Sequence, residues 1–467
     1  MPPSSTRVPS ARAAAPTVSP SDVDACLRVL DALRGGTLGD ADADAVGRAV
    51  GAAYRDGRKE RRAVRTAQRR QQDLDLLAAA RRFREEIPAL TAAGPAGADP
   101  AEAQPRLHKP RRCYVCKTHY RLVDADYHLM CPDCAQQNRQ RRDARCDLTG
   151  RRAVVTGGRV KIGFHLALKL LRDGADVLVT TRFPYDAARR FAAVPDAADW
   201  RDRLHVHGVD FLDLTGVLDL VDAVHRRWDH LDILVNNAAQ TLHRPAAYHR
   251  EVRAAELSPL SGAAAAISAV PARGHDPAST AAHLPALVQT LFPAGAVDET
   301  GEPLDLREIN SWVLRDRDVT PQEWLEVHVV NAFAPFLLTS RLRPLLGASP
   351  HPLRHVVQVS AMEGSFSREY KTERHPHTNM AKASMNMLTR TLSDDYRREG
   401  ILMNSVDTGW VTDERPHPAK QAQREAGFRP PLDVVDGAAR VYDPIVRERH
   451  GDPVHGAFLK DYRPVQW

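Results

Sequence analysis

The sequence predicts an α/β protein: a doubly wound, mostly parallel sheet over its C-terminal two thirds, preceded by a helical region and a small cysteine-rich module. Three observations carry this. From Arg152 onward, short β-branched runs alternate with amphipathic helical stretches, the pattern of strands buried on both faces and their crossover helices. The first run ends in a turn containing Gly157, Gly158 and Gly163. Ahead of it stand two C-x-x-C pairs, Cys113 with Cys116 and Cys131 with Cys134.

At 467 residues, 43% of them hydrophobic and 27% charged, the chain suits two or three soluble domains. No apolar run approaches the roughly 18 residues of a membrane span, so no membrane partner is expected. A net charge of +6 is modest for this size, and only local clustering of the cations would point to an anionic partner.

Residues 1–20 contain Arg and Ser without an apolar stretch and read as a disordered tail. Residues 21–105 read as a basic helical region and a linker. Ser21 and Asp24 form a capping pattern ahead of Val23, Leu27, Leu30 and Leu33, and Gly35 and Gly36 stop that helix. A second helical stretch runs from about Asp42 to Leu90. Its cationic middle, Arg55 to Gln72, reads as a solvated face in preference to a nucleic-acid surface. Residues 91–105, rich in Pro and Ala, read as the linker.

Residues 106–147 form the cysteine module. Two residues between thiolates let both sulfurs face one ion, and two such knuckles complete the tetrahedron of a structural zinc. Cys113, Cys116, Cys131 and Cys134 are therefore the expected ligands, with His119 or His128 as possible substitutes for one thiolate. In a chain without an export signal the pairs point to a reducing cytoplasm. Lys109, Arg111, Arg112, Lys117 and Arg121, then Arg139, Arg141, Arg142 and Arg145, with Tyr114, Tyr120 and Tyr127 interleaved, make a nucleic-acid surface conceivable, but docking of the module on the main domain is the expected role. A closed four-thiolate site leaves no position for metal catalysis.

Residues 148–467 carry the strand pattern: Ala153–Gly157, Asp176–Thr181, Leu204–Asp210, Leu231–Asn237, His355–Ser360 and Ile401–Gly409. The interval between the fourth run and Asn331 is far too long for one helix and its loops, so residues 241–318 read as an insertion. It leaves the sheet at the carboxyl end of a strand, where open α/β sheets bind ligands, and is expected to form part of the substrate pocket.

Residues Ala153 to Gly163 form a buried strand turning into a helix, where backbone amides can meet a pyrophosphate. The segment resembles the TGxxxGIG loop of short-chain dehydrogenases, with Thr156, Gly157, Ile162 and Gly163 in place and Lys161 at the middle glycine. Asp210 and Phe211 fall where this family meets the adenine, and Asn236 to Ala239 are similar to its NNAG motif. Asn331 matches the family's structural and catalytic Asn. The run from Asn404 to Thr412, including Gly409, resembles the segment that covers the nicotinamide. These motifs span about 320 residues in the family's order. The whole chain resembles a bacterial subgroup that joins an N-terminal C-x-x-C module to such a domain. The resemblance implies a Rossmann-type fold, a nicotinamide cofactor, oxidoreductase activity on a small molecule, and a homo-oligomer.

Cofactor choice follows from charge. A cation at the end of the second strand accommodates the 2′-phosphate of NADP(H), whereas an acid grips the 2′-hydroxyl of NAD(H). The chain offers Arg182 there, with Arg159 and Lys161 in the turn, so NADP(H) is expected over NAD(H).

In this family a Tyr donates the proton, a Lys four residues later supports it, and a Ser orients the carbonyl. Lys382 occupies the lysine position, but Thr378 stands where Tyr is usual, and Ala361 falls in the serine position with Ser360 one place early. Two readings follow. In one, a divergent reductase uses His377 as acid, with His375 and Tyr370 nearby, because imidazole titrates near neutrality. In the other, the chain binds NADP(H) without turnover and the zinc module and basic region relay its state to a partner.

Overall fold

The computed structural model describes residues 18–84, 106–273, 290–298 and 300–467. They fall into two compact units, divided between Gln72 and Asp73. In the first, a helix spans Pro20–Arg34 and a 40-residue helix begins at Asp40. The first helix is capped two residues earlier than the sequence suggests. Ser19 accepts from the Asp22 amide while Asp22 accepts from the Ser19 amide, with Pro20 at the first helical position, so Ser21 and Asp24 are not the cap. The basic helix ends at Ala79, and a short turn follows at Arg81–Arg84. The expected extension to Leu90 and the linker 91–105 lie outside the described residues, as do residues 1–17 of the expected tail.

In the second unit, β1 (Arg106–Arg112) and β2 (His119–Leu122) form an antiparallel ribbon that carries the first cysteine knuckle. The second knuckle opens the helix Pro132–Arg142. Then comes a nine-stranded sheet built from β3 (Arg152–Val155), β4 (Asp176–Thr181), β5 (Leu204–Gly208), β6 (Ile233–Asn236), β7 (Ser268–Val270), β8 (Arg354–Ser360), β9 (Ile401–Asp407), β10 (Phe458–Lys460) and β11 (Arg463–Val465). Its order is β11-β10-β9-β8-β6-β3-β4-β5-β7. Every neighbouring pair is parallel except β10 with β11.

This is the predicted doubly wound α/β fold. The helices Lys161–Arg172 and Val434–Arg449 pack on one face over Val155, Val179 and Val357, and Leu214–Arg227 and Ala334–Arg341 on the other over Val154, Leu234 and Val356. Strand order reverses between β3 and β6, which opens a crevice at their carboxyl ends. The insertion holds the short helix Arg250–Glu256 and, unforeseen in the sequence, contributes β7 to the sheet edge beside β5. Among the described residues no helix is long and apolar enough to cross a membrane.

Candidate active site

The turn after β3 is fastened to the end of β6 across the crevice. Thr156 Oγ1 accepts the Asn237 and Ala238 amides, each at 2.9 Å, and Asn237 Nδ2 donates to the carbonyls of Thr156 at 2.9 Å and Gly157 at 3.1 Å. Such close approach leaves no room for side chains. A Cβ on Gly163 would stand 2.1 Å from the Gly157 oxygen, and one on Gly157, at φ +69°, 2.9 Å from Ala238 Cα. Lys161, in the place of the family's middle glycine, also takes a left-handed conformation at φ +53°. For a residue with a side chain this costs of order 1–3 kcal/mol. Ile162 turns away from the crevice and packs against Gly437 of the Val434–Arg449 helix.

The cations expected at the adenosine end are not equivalent. Arg159 is buried and donates to Asp186 at 2.7 Å and Glu302 at 2.6 Å, and Lys161 lies 3.5 Å from Glu414. Arg182 is exposed, beside His249 Nε2 at 3.3 Å and over the Phe183 ring. His249 is kept neutral: burial first, then the charges of Arg182, Arg159, Arg253 and Arg244, push its pKa down to about 2. The insertion therefore adds two arginines to this end of the crevice. Asp210 accepts the Leu212 amide at 3.0 Å, but the ring of Phe211 is sunk in the second core among Val209 and Leu220. The adenine-facing place read for Phe211 from sequence is thus a core position for its side chain.

At the other end, β8 delivers Ser360 and the helix Pro376–Arg398 delivers His377, Thr378 and Lys382. All four are buried. Lys382 Nζ donates to the Val359 carbonyl at 2.8 Å, and burial, partly offset by Glu363, lowers its pKa to about 8. The hydroxyls of Ser360 and Thr378 and both ring nitrogens of His377 have no hydrogen-bond partner among the described residues. His377 Nε2 lies 3.4 Å from Oε1 of Glu323, which is also buried. Burial alone would raise the Glu323 carboxyl, but His377 and Ser311 take it below its ordinary range.

The two remaining proton-donor candidates are otherwise engaged or turned outward. The His375 ring stacks on Trp312 with centroids 4.2 Å apart, and Tyr370 is 83% exposed. Asn331 sits in a π-helical turn, Val329–Phe333, and holds both main-chain polar groups of Gln240, accepting at 2.6 Å and donating at 3.0 Å. Such turns recur at functional sites. Trp312 and the Leu314 carbonyl, which accepts the His375 amide at 2.7 Å, bring the end of the insertion against the start of the Lys382 helix.

After β9 the Gly409 amide donates to Asp407 Oδ1 at 3.2 Å, and Thr412 Oγ1 donates to Glu414 at 2.7 Å. A cavity of about 470 Å³ opens beside this segment, lined by Val160, Lys161, Phe164, Thr412, Phe428 and Leu432 among others.

The ligand atoms of the four cysteines lie within 4.8 Å of one another, without His119 or His128. His128 instead is held by the Arg429 carbonyl at 3.3 Å. The arginines after the second knuckle are paired: Arg139 with Asp124, Arg141 with Asp443, Arg142 with Asp433 and Asp436, and the exposed Arg145 with Asp173, whereas Lys109, Arg112, Lys117 and Arg121 around the first knuckle stay exposed.

Residues 151–258 match the family model described as short chain dehydrogenase, and residues 313–429 match that described as Enoyl-(Acyl carrier protein) reductase. The chain belongs to the short-chain dehydrogenase/reductase family. The unmatched interval, residues 259–312, falls within the insertion. An uncharacterized protein of Acanthamoeba polyphaga mimivirus is 32% identical over 355 residues, covering 72% of this chain and 71% of that protein. An NADPH carbonyl reductase of Sus scrofa is 24% identical over 328 residues, 68% of this chain and 93% of that one. Among solved structures, a short chain dehydrogenase of Burkholderia cenocepacia in complex with NADP shares 22% identity over 67% of this chain and 96% of its own, with a TM-score of 0.44.

Glu323 escaped the sequence reading, and Tyr114 was read there only as part of a conceivable nucleic-acid surface. Glu323, three residues after Thr320, reads as a helix-start residue, and nothing in the sequence pairs it with a histidine more than fifty positions away.

Proposed function

We propose that this short-chain dehydrogenase/reductase is an NADP(H)-dependent oxidoreductase that interconverts a carbonyl and an alcohol on a small molecule, with His377 as the proton donor. The supporting observation is the set of buried, unpartnered polar atoms on Ser360, His377 and Thr378 beside Lys382. Native structures rarely leave such atoms unsatisfied, so a cluster of them marks the place of a polar ligand.

The residues present fit a dinucleotide. Gly157 and Gly163 permit a tight strand-to-helix turn in which a Cβ would strike the Gly157 carbonyl or Ala238, and the turn leads into a helix N-terminus of the kind that meets a pyrophosphate. Arg182, with Arg253 nearby, gives the adenosine end the cationic character that a 2′-phosphate requires. Arg159 and Lys161 line the turn with their charges already paired, which assigns the discriminating role to Arg182. Lys382, Asn237, Ala238, Asp210, Gly409 and Thr412 complete the holding set, with Phe211 contributing through its backbone. The bound nicotinamide supplies or accepts the hydride.

The chain's own residues orient the substrate and handle its proton. The Ser360 and Thr378 hydroxyls can hold a carbonyl oxygen. His377 donates a proton to that oxygen in reduction, and Glu323, 3.4 Å from its Nε2, keeps the ring oriented. Asn331 fixes the loop after β6 that closes this space. The four cysteines hold a structural zinc: in a tetrahedral thiolate site neighbouring sulfurs are about 3.8 Å apart, and Cys116 and Cys131 stand at 3.7 Å. A second reading, a cofactor-binding sensor without turnover, draws on the contact between the cysteine module and the loop after β9.

Turnover of a carbonyl panel with NADPH, followed by nicotinamide absorbance, tests the assignment. His377→Ala should lose about 100-fold or more in turnover while still binding NADPH. Parent-like turnover in that variant would remove His377 from the chemistry.

A further inference from the structure

The cysteine module reaches the cofactor-side loop through one side chain. Tyr114 stands between the ligands of the first knuckle, and its position is set by that knuckle: its amide donates to the Leu129 carbonyl at 2.8 Å, and its carbonyl accepts from Lys117. Its hydroxyl accepts the Trp410 amide at 2.9 Å. The neighbouring Gly409 has φ +77°, and a Cβ there would lie 2.5 Å from Leu432 and 3.2 Å from the Tyr114 hydroxyl. The loop is thus closed down onto the module at a residue that tolerates no side chain.

Two further contacts act on the same few residues. Lys460 donates to Asp407 at 2.8 Å with its ammonium 5.9 Å from the Tyr114 ring centre, and Leu432 and Val411 pack in the core that also contains Cys113, Cys131, Tyr120 and Tyr127. Within this core the loop Asp407–Thr412 has Tyr114 as its polar anchor.

We propose that the four-thiolate metal centre sets the conformation of the Asp407–Thr412 loop through Tyr114, so that metal occupancy governs the affinity for the nicotinamide cofactor. The second half of this statement rests on the function proposed above. Tyr114 is a positioning residue: it acts through the Trp410 amide and the fit against Gly409. A closed thiolate centre gains a role that does not require an open coordination position. Metal loss would release the knuckle, withdraw the acceptor from Trp410 and loosen the loop, without changing any residue that faces substrate.

The experiment uses the full chain. Amide hydrogen exchange at Trp410 and fluorescence-detected NADPH binding are measured for the metal-loaded protein, the chelator-treated protein and Tyr114→Phe. The Phe variant keeps the ring and the knuckle and removes only the hydroxyl. It should retain one metal per chain, exchange at Trp410 about 10-fold faster or more, and bind NADPH about 3- to 10-fold more weakly, the range for one lost hydrogen bond. KM for the cofactor should rise more than kcat falls. Chelation should produce the same loop exchange. If the metal-free chain unfolds, the Phe variant decides alone.

Unchanged exchange at Trp410 in the Phe variant would overturn the proposal. So would faster exchange with undiminished NADPH affinity. A parent protein that binds no nicotinamide cofactor would sink the proposed function instead, and exchange at Trp410 would still decide whether the metal centre sets the loop.

Discussion

At the scale of single residues, charge and close approach explain most of the site. Lys382 is buried with its ammonium on the Val359 carbonyl, and burial brings its pKa to about 8. The protonated form is the one that can hold ribose hydroxyls and assist proton donation, so turnover should fall as pH rises through about 8. A pH–rate profile checks this, and Lys382→Met should flatten that limb along with most of the activity. At the opposite end, Arg182→Ala should reduce the preference for NADPH over NADH by about 10-fold or more, because a charge-assisted contact to phosphate is lost and none to the 2′-hydroxyl replaces it. Comparison of the two dissociation constants measures it. Gly163→Ala places a methyl 2.1 Å from a carbonyl oxygen, a clash the fastened turn cannot relieve. Its expected result is loss of cofactor binding, or of soluble protein. The residue types at these positions were legible in the sequence because glycine and lysine leave few alternative roles in a strand–turn–helix. The Phe211 side chain was not, because the same apolar ring serves equally as a base-facing surface or as core, and only its burial separates the two.

At the scale of elements, the docking of the cysteine module turns on one carboxylate. Asp436, fully buried at the start of the Val434–Arg449 helix, accepts from Tyr127 at 2.8 Å, Asn138 at 3.0 Å and Arg142 at 2.8 Å. Burial alone would raise its pKa, but Arg142, Arg82 and Arg440 hold it far below the usual carboxylate range. Its contribution to stability is therefore present above the ordinary Asp range and is lost only in strong acid. Asp436→Ala leaves Arg142 and Asn138 short of an acceptor and should cost about 3–5 kcal/mol, read as a lower unfolding midpoint in denaturant. This hub takes up Arg142, one of the arginines after the second knuckle that in sequence could pass for a nucleic-acid surface. Sequence periodicity located β3, β4, β5, β6, β8 and β9 because buried parallel strands are continuous apolar runs, and it passed over the short edge pair β10 and β11. It missed β7, a three-residue strand whose pairing with β5 depends on a neighbour more than sixty positions away. The cap of the first helix was misplaced by two residues, since Ser19 and Ser21 both precede an Asp at the right interval and only the proline between them favours the earlier one.

At the scale of the whole chain, an inserted segment and a four-cysteine module have been fitted around a short-chain dehydrogenase/reductase core. The insertion spans both ends of the crevice, with Arg253 near Arg182 and Trp312 over His375. The module meets the loop after β9. Metal analysis of the purified protein should return one zinc per chain, and chelation should lower its thermal midpoint, because the core of Leu107, Tyr120, Tyr127 and Met130 is built around those knuckles. The account depends most on the claim that the crevice between β3 and β6 binds NADP(H). Fluorescence titration of the metal-replete protein with NADPH and with NADH tests that claim directly. Saturable binding with a clear preference for NADPH is the predicted result. Failure to bind either nucleotide would contradict it and leave the domain as a scaffold that retains the fold without the cofactor.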